Sequence, residues 1–222
     1  MTQAHIDMDR KILDRNDRLA EENRALLAEK HVYTLNLLAS PGAGKTSLIT
    51  SVIHSLSDKL RIGVIEGDIA GAIDAEKMKA LGVPVVQLNT DGACHIEAMS
   101  IRHILPDFDL GGLDVIFVEN IGNLVCPAEF NIGEHLRVAL LSIPEGDDKV
   151  EKYPLMFQTT DALILNKYDM LPYFDFDEGR VRENAKEINP DISIFNVSNK
   201  TNEGINEFNA WLTRKIEEKI NA

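Results

Sequence analysis

Apolar residues near the start of the chain follow a helical period. Within residues 6–30 they form two rows with a seven-residue spacing: Ile6, Leu13, Ala20 and Leu27, and beside them Ile12, Leu19 and Leu26. Such a pattern, flanked by Asp, Glu and Arg, predicts a helix with one apolar face. Two interpretations are open: the helix packs along the surface of the following domain, or it forms a coiled segment that dimerises or docks a partner.

Beyond residue 31 the pattern changes to short apolar runs separated by helical periods. Runs rich in Val, Ile and Leu, typical of strands buried on both faces, occupy residues 32–39, 61–66, 84–88, 114–119, 136–143, 161–166 and 191–197. Helical periods occupy residues 46–57, 72–81, 94–105, 178–188 and 205–220. This alternation predicts an α/β fold with a doubly wound, mainly parallel sheet flanked by helices. We expect a single domain over residues 1–222, with 1–31 as a helical extension of the 32–222 core.

Size and charge narrow the function classes. A chain of 222 residues with 44% hydrophobic residues can fill one core. Its net charge of −13 offers no basic footprint, so we expect no nucleic-acid partner. No apolar run reaches the ~18 residues that span a bilayer, and the N-terminus lacks a signal-peptide pattern. We therefore expect a cytoplasmic protein without membrane contact.

A phosphate-binding loop follows the first predicted strand. Residues 39–46 read Ala-Ser-Pro-Gly-Ala-Gly-Lys-Thr and lead into a helical period, which is the strand–loop–helix context of a P-loop. Backbone N–H groups would cradle phosphates, Lys45 would act catalytically at the β- and γ-phosphates, and the Thr46 hydroxyl would bind Mg²⁺. Ala39 replaces the usual first glycine, which costs little if its φ is negative. The predicted nucleotide-binding residues here are Ser40, Pro41, Gly42, Ala43, Gly44, Lys45, Thr46 and Ser47.

Two later loops indicate guanine rather than adenine. Residues 166–169 read Asn-Lys-Tyr-Asp and follow a predicted strand. The Asp169 carboxylate can accept from the N1–H and 2-amino groups of guanine, and adenine offers neither donor. Asn166 would tie the loop together, and the Lys167 stem would cover the base. A second predicted group, Ser198, Asn199 and Lys200, follows the last strand. There the backbone N–H of Asn199 would reach guanine O6.

Acidic residues end two of the predicted strands, Asp68 in residues 66–68 and Glu119. In P-loop proteins such an acid usually holds Mg²⁺, so we predict a magnesium site of Thr46, Asp68 and Glu119. Both acids would share catalysis with Lys45, and Gly122 would follow the γ-phosphate through a backbone contact. The alternative is that either acid only caps a helix or solvates a strand end. No glutamine or arginine stands in a catalytic position, which predicts slow intrinsic hydrolysis.

Two cysteines and a histidine form a candidate metal site. Cys94-His95 opens a predicted helix and Cys126 lies shortly after Glu119, so loops at neighbouring strand ends would bring them together. Thiolate and imidazole suit Zn²⁺ or Ni²⁺, and a helix N-terminus would lower the pKa of Cys94. Three ligands leave a four-coordinate shell incomplete, which a symmetric dimer would fill. Two inert cysteines are the alternative, and we expect His103 at the surface.

These motifs together resemble the hydrogenase nickel-incorporation GTPases, the HypB family of the SIMIBI class. The most specific match is Glu-Asn-Ile-Gly-Asn-Leu-Val-Cys-Pro at residues 119–127, which accompanies the P-loop and residues 66–68, 94–95 and 166–169. The resemblance implies a GTPase that dimerises with GTP and binds Ni²⁺ or Zn²⁺ through Cys94, His95 and Cys126. It also implies nickel delivery to the [NiFe]-hydrogenase large-subunit precursor, together with maturation partner proteins. The Cys-x-x-Cys motif and histidine-rich tail of some relatives are absent from this sequence.

Three other functions compete with nickel delivery. A urease accessory GTPase would carry Cys-Pro-His, but Ala128 follows Cys126-Pro127. A regulatory GTPase whose Zn²⁺ only stabilises a dimer would bind metal without transferring it. A P-loop kinase is disfavoured because residues 166–169 specify a base and no second-substrate site is recognisable.

Overall fold

The computed structural model describes residues 3–67, 78–89 and 92–220, which alternate between strands and helices. The strands are β1 (Tyr33–Ala39), β2 (Ile62–Gly67), β3 (Val85–Leu88), β4 (Val115–Glu119), β5 (Leu136–Ser142), β6 (Ala162–Asn166) and β7 (Ser193–Val197). The helices are α1 (Gln3–Glu29), α2 (Lys45–Leu56), α3 (Ala98–Ile104), α4 (Cys126–Glu129), α5 (Lys149–Lys152), α6 (Pro154–Gln158), α7 (Glu178–Ile188) and α8 (Ile205–Ile220). Short 3-10 turns occupy Leu105–Asp107, Leu110–Gly112, Ile143–Glu145 and Tyr168–Tyr173.

The strands form one parallel sheet in the order β3-β2-β4-β1-β5-β6-β7. The chain winds from β1 toward β3 on one side and later toward β7 on the other, so the direction of winding changes beside β1. In such sheets ligands bind outside the carboxyl ends of the strands at this switch point. Strands β1, β2, β4 and β6 are buried along their whole length, as their continuous apolar runs require. The predicted α/β, doubly wound fold is confirmed.

Most predicted elements lie within two residues of the observed ones. All seven strands are present, and the helices predicted at residues 178–188 and 205–220 match α7 and α8. The helix predicted at residues 72–81 falls mostly outside the described residues.

The helix predicted at residues 94–105 is wrong at its start. It begins at Ala98, and Glu97 before it is extended, with φ −102° and ψ 160°. The later start has a physical cause: side chains from distant segments accept hydrogen bonds from backbone N–H groups that a longer helix would use for its own bonds. The Ile96 N–H donates to Asn120 Oδ1 at 3.2 Å, and the Ala98 N–H donates to Asn16 Oδ1 at 2.9 Å.

The predicted N-terminal helix is present as α1, and it packs on the domain. Leu27 is fully buried in an apolar cluster with Ile101 of α3 and Ile116 of β4. The fully buried Asn23 donates through Nδ2 to Ala98 O at 2.8 Å and to Ile132 O at 3.2 Å. Packing along the domain is thus confirmed, while a role in dimerisation or partner docking stays a prediction. Within the described ranges, no helix is long and apolar enough to cross a bilayer.

Candidate nucleotide and metal sites

The P-loop occupies the turn between β1 and α2. Gly42 and Gly44 have φ values of +77° and +102°, which residues other than glycine rarely adopt. At position 44 a Cβ would also lie 2.5 Å from Asn166 Nδ2, so the loop has no room for a side chain there. Ala39 ends β1 and is not among the described non-glycine residues with positive φ, so alanine replaces the usual glycine without strain. The buried Lys45 opens α2, where a P-loop lysine belongs.

A cavity of about 1270 Å³ opens above this loop. Of the predicted nucleotide-binding residues, most line it: Pro41, Gly42, Gly44, Lys45, Thr46, Ser47, Gly122, Asn166, Lys167, Asp169, Asn199 and Lys200. Ser40, Ala43 and Ser198 do not line it, although they belong to the same loops. Several further lining residues belong to no motif and were not predicted: Thr50, Ser51, His54 and Asn202.

The two predicted base-recognition loops are bonded to the P-loop and to each other. Asn166 Nδ2 donates to Ala43 O at 2.8 Å, and Lys167 Nζ donates to Gly42 O at 2.7 Å. Asn199 Nδ2 donates to Asn166 Oδ1 at 3.0 Å. The Asn166 side chain therefore connects the P-loop to the loop after β7, and the Lys167 side chain reaches the P-loop along the wall of the cavity.

Asp169 is oriented by the strand-end loop after β7. Ser198 Oγ donates to Asp169 Oδ1 at 2.6 Å, and Lys200 Nζ lies 4.0 Å from Asp169 Oδ2. The carboxylate is mostly buried, and both neighbours leave acceptor positions for a ligand. Ser198 and Lys200 were predicted as nucleotide-binding residues, whereas their contact with Asp169 was not predicted.

A second polar network holds Tyr168, which lies in the predicted guanine loop at residues 166–169. Tyr168 Oη donates to Glu178 Oε2 at 2.7 Å, and Glu178 Oε1 accepts from Arg182 Nε at 2.6 Å and from Asn196 Nδ2 at 3.1 Å. Burial opposes ionisation of Glu178, but the hydrogen bonds from Tyr168, Arg182 and Asn196 outweigh it and hold its pKa below the usual value. The Tyr168 side chain therefore rests on an ionised carboxylate.

The predicted magnesium residues are close where the structure describes them. Thr46 Oγ1 donates to Glu119 Oε1 at 2.8 Å, so hydroxyl and carboxylate meet at the start of α2. Glu119 pairs in register with Glu66 of β2, and both side chains are buried. Oxygen donors of this kind are the ligands that Mg²⁺ takes beside a nucleotide. Asp68, the third predicted magnesium residue, lies outside the described residues.

Gly122 packs directly on the P-loop. A Cβ at this position would lie 2.7 Å from the backbone nitrogen of Pro41 and 2.8 Å from its Cα, closer than real Cβ atoms approach. The absence of a side chain therefore lets the turn after β4 touch the phosphate loop. This contact fits the predicted backbone role of Gly122 near a terminal phosphate.

The structure brings Cys94, His95 and Cys126 together into one cluster. One ligand atom from each lies within 4.8 Å of the others, and Cys94 Sγ lies 3.4 Å from His95 Nδ1. Cys94 is exposed, whereas His95 and Cys126 are half-buried. Two thiols and one imidazole are donors that suit a soft or borderline metal ion. His103 is exposed on α3 and is not part of the cluster.

Local contacts favour the neutral form of His95 but contradict one prediction for Cys94. The His95 ring lies against Phe130 with centroids 3.9 Å apart, and burial lowers its pKa, which favours the neutral, metal-binding imidazole. A hydrogen bond with Cys126 and burial raise the pKa of Cys94. The predicted lowering by a helix N-terminus is wrong, because α3 begins at Ala98 and Cys94 lies in the preceding loop.

A P-loop, the predicted base-recognition loops and a Cys/His cluster that could hold a metal, all beside one parallel sheet, define a P-loop nucleotide-binding protein. The family described as CobW/HypB/UreG, nucleotide-binding domain, matches residues 33–196. The chain belongs to the HypB family of hydrogenase maturation factors, as the following similarities show.

Relatives and a solved structure agree on this family. The chain is 45% identical over 217 residues to the hydrogenase maturation factor HypB of Azotobacter vinelandii, covering 97% of this chain and 71% of that protein. It is 43% identical over 212 residues to HypB of Escherichia coli K12, covering 96% and 72% respectively. The crystal structure of HypB from Helicobacter pylori in complex with nickel matches with a TM-score of 0.87 and 36% identity, covering 93% of this chain and 97% of that one.

Proposed function

We propose that this protein is a nickel metallochaperone in which GTP binding and hydrolysis gate the insertion of nickel into a [NiFe]-hydrogenase precursor. The observation that carries the proposal is the position of the metal cluster relative to the phosphate site. Glu119 meets Thr46, Gly122 touches Pro41, and Cys126 follows on the same segment with its sulfur inside the cluster. One short stretch of chain thus links the nucleotide to the metal.

The nucleotide chemistry rests on residues already placed around the cavity. Lys45 supplies positive charge to the β- and γ-phosphates, and Thr46 with Glu119 would hold Mg²⁺ when GTP is bound. Mg²⁺ would neutralise charge that develops on the phosphate oxygens. Asp68 is our candidate for completing the magnesium shell or orienting the attacking water. Hydrolysis without a partner is expected to be slow, since the sequence shows no catalytic glutamine or arginine.

The metal cargo would be Ni²⁺, with Zn²⁺ as a competing ion, because both accept thiolate and imidazole ligands. The exposed Cys94 leaves one side of the cluster open. Three ligands from one chain leave room for a further ligand, which a second copy of the chain would supply in a nucleotide- or metal-dependent homodimer. The open side would also let an acceptor reach the ion, and maturation partner proteins and the hydrogenase large-subunit precursor are the proposed acceptors.

A regulatory GTPase with a Zn²⁺-stabilised dimer is the second candidate. The half-buried Cys126 and His95 would suit a resident structural ion as well as a transferred one. The two functions differ in whether metal affinity changes with the nucleotide, since a passive structural ion needs no such change.

The deciding experiment titrates Ni²⁺ and Zn²⁺ separately into the GDP form and into the form with a non-hydrolysable GTP analogue. Light scattering on the same samples records the dimer fraction. We expect Ni²⁺ affinity to differ by a factor of about 5 to 150 between the two forms, the usual range of allosteric coupling. Cys94→Ala and Cys126→Ala should remove the high-affinity site, whereas His103→Ala, an exposed histidine outside the cluster, should not. Equal Ni²⁺ affinities at a fixed dimer fraction would reject gating and favour the structural-ion function.

A further inference from the structure

Two asparagines in the turn after β4 hold the segment that carries Cys94 and His95. Asn120 Oδ1 accepts from the Ile96 N–H at 3.2 Å, on one side of His95. Asn123 Nδ2 donates to the Cys94 carbonyl oxygen at 3.2 Å, on the other side. The same turn therefore bonds to the ligand segment on both sides of the imidazole.

We propose that Asn120 and Asn123 are positioning residues that transmit the nucleotide state to the metal cluster. This inference rests on the proposed function, in which metal affinity depends on the bound nucleotide. Neither side chain is a metal ligand or a nucleotide ligand in this proposal. Both act by fixing where Cys94 and His95 stand relative to the turn that touches the P-loop.

The position of Asn120 in the chain explains how the signal would enter. It directly follows Glu119, which accepts from Thr46, and it comes two residues before Gly122, which packs on Pro41. Asn120 is almost completely buried, and its Oδ1 also accepts from the Ile121 N–H at 2.9 Å. A displacement of the turn by a terminal phosphate would therefore carry the side chain of Asn120 with it.

Tight packing prevents the ligand segment from absorbing such a displacement locally. A Cβ at Gly67 would lie 2.5 Å from Cδ1 of Ile96 and 3.0 Å from the Glu119 carbonyl oxygen. Ile96, which directly follows His95, is fully buried against Gly67 at the end of β2, in the same apolar cluster as Val118 of β4. Since close-packed interiors move in discrete steps rather than by smooth deformation, a shift at Glu119 is passed on to Ile96.

A second polar connection runs from Asn120 to the segment that carries Cys126. Asn120 Nδ2 donates to Asn36 Oδ1 at 3.1 Å, and Asn36 Nδ2 donates to Glu134 Oε1 at 3.3 Å.

Glu134 in turn connects to the helix that begins at Cys126. It is paired with Arg137, whose guanidinium donates to the carbonyl oxygens of Ala128 and Phe130 at 3.1 Å each. Ala128 belongs to α4, which begins at Cys126, and the Phe130 ring lies on His95. Asn120 is therefore linked to both halves of the cluster.

The test measures the ratio of Ni²⁺ affinities in the GTP-analogue and GDP forms of variants. Asn123→Asp keeps the acceptor that binds the Val125 N–H at 2.8 Å but loses the donor to the Cys94 carbonyl. Asn120→Ala removes the contacts to Ile96 and Asn36 together. Asn184→Ala is the matched control, because Asn184 donates to Glu151 on α5, and neither residue lines the nucleotide cavity or belongs to the Cys/His cluster. Circular dichroism melts establish that each variant is folded.

We expect the affinity ratio to move toward one in Asn123→Asp and Asn120→Ala, whichever form binds Ni²⁺ more tightly in the wild type, and to keep its wild-type value in Asn184→Ala. By linkage, the effect of Ni²⁺ on the preference between GTP analogue and GDP should fall by the same factor. If Asn120→Ala does not fold, Asn123→Asp alone decides. A variant that loses Ni²⁺ affinity equally in both nucleotide forms, with the ratio intact, would show that the asparagines only shape the cluster and would overturn the inference. A wild-type ratio of one would instead overturn the gating itself.

Discussion

At the scale of single residues, one hydrogen bond orients Asp169, the residue proposed to recognise the base. Ser198 Oγ occupies one acceptor position on Oδ1, so the rest of the carboxylate faces the cavity. In Asp169→Asn an amide would replace one acceptor oxygen and oppose the guanine 2-amino group. GTP affinity should fall by at least ~2 kcal/mol, and xanthosine triphosphate should become the better ligand. Calorimetric titration with both nucleotides measures the change, and unaltered GTP affinity would remove Asp169 from the base site.

Gly122 offers a second test at the scale of a single residue. In Gly122→Ala the new methyl group would lie 2.7–2.8 Å from three atoms of Pro41, so the turn or the P-loop must move. Affinity for the GTP analogue should fall more than affinity for GDP, because only the former presents a γ-phosphate. Gly111→Ala is the control, since the nearest atom to its Cβ would be Asp109 Oδ1 at 3.6 Å. Equal losses for the two nucleotides would argue against a γ-phosphate contact at Gly122.

At the scale of elements, helix α1 is bonded to the domain through buried amide side chains. Asn23→Ala would leave the carbonyl oxygens of Ala98 and Ile132 without this donor. Because unsatisfied buried polar groups are costly, the free energy of unfolding should fall by about 1–3 kcal/mol. Urea denaturation measures the change. Glu21→Ala, an exposed position on the same helix, should stay within about 0.5 kcal/mol of the wild type, and a similar loss in both variants would refute the role of Asn23.

The sheet was predictable because its information is local. Each strand is a short apolar run bounded by turn residues, and all seven runs in the sequence became strands. The P-loop and the guanine loop were recognisable for the same reason, since each is a short motif at a strand end. Their mutual contacts, such as Asn166 to Ala43, were not predicted, because they join residues more than 100 positions apart and only the fold brings them together.

The start of α3 was not predictable, because the residues that hold it open are far away in sequence. Asn16 lies 82 residues before Ala98, and Asn120 lies 24 residues after Ile96. No helical period reports such bonds. The predicted lowering of the Cys94 pKa was wrong for the same reason. It assumed a helix that begins at Cys94, but these contacts make the helix begin at Ala98. The cluster of Cys94, His95 and Cys126 was proposed from residue type and family resemblance, and only the fold supplied the distances.

At the scale of the whole molecule, the proposed nucleotide and metal sites are built from different side chains. Lys45→Ala removes the P-loop charge without altering Cys94, His95 or Cys126. GTP hydrolysis should fall at least ~100-fold, as when one transition-state contact is lost. Ni²⁺ and Zn²⁺ binding to the nucleotide-free protein should be largely retained. Phosphate release and metal titration on the same preparation measure both, and a folded variant with normal hydrolysis would exclude the assigned P-loop role.

The long-range hydrogen bonds of α1 also have a consequence for the order in which the nascent chain folds. Asn16 binds Asn131 across 115 residues, and Asn23 binds Ile132 across 109. Contacts that close such long loops carry a large entropic cost and form slowly. On the ribosome α1 emerges before its partners, so the apolar cluster that buries Leu27 is incomplete until β4 and the segment after α4 have been synthesised. Helix α1 is therefore synthesised well before the segments that fix it, and its apolar face needs protection from aggregation during that interval.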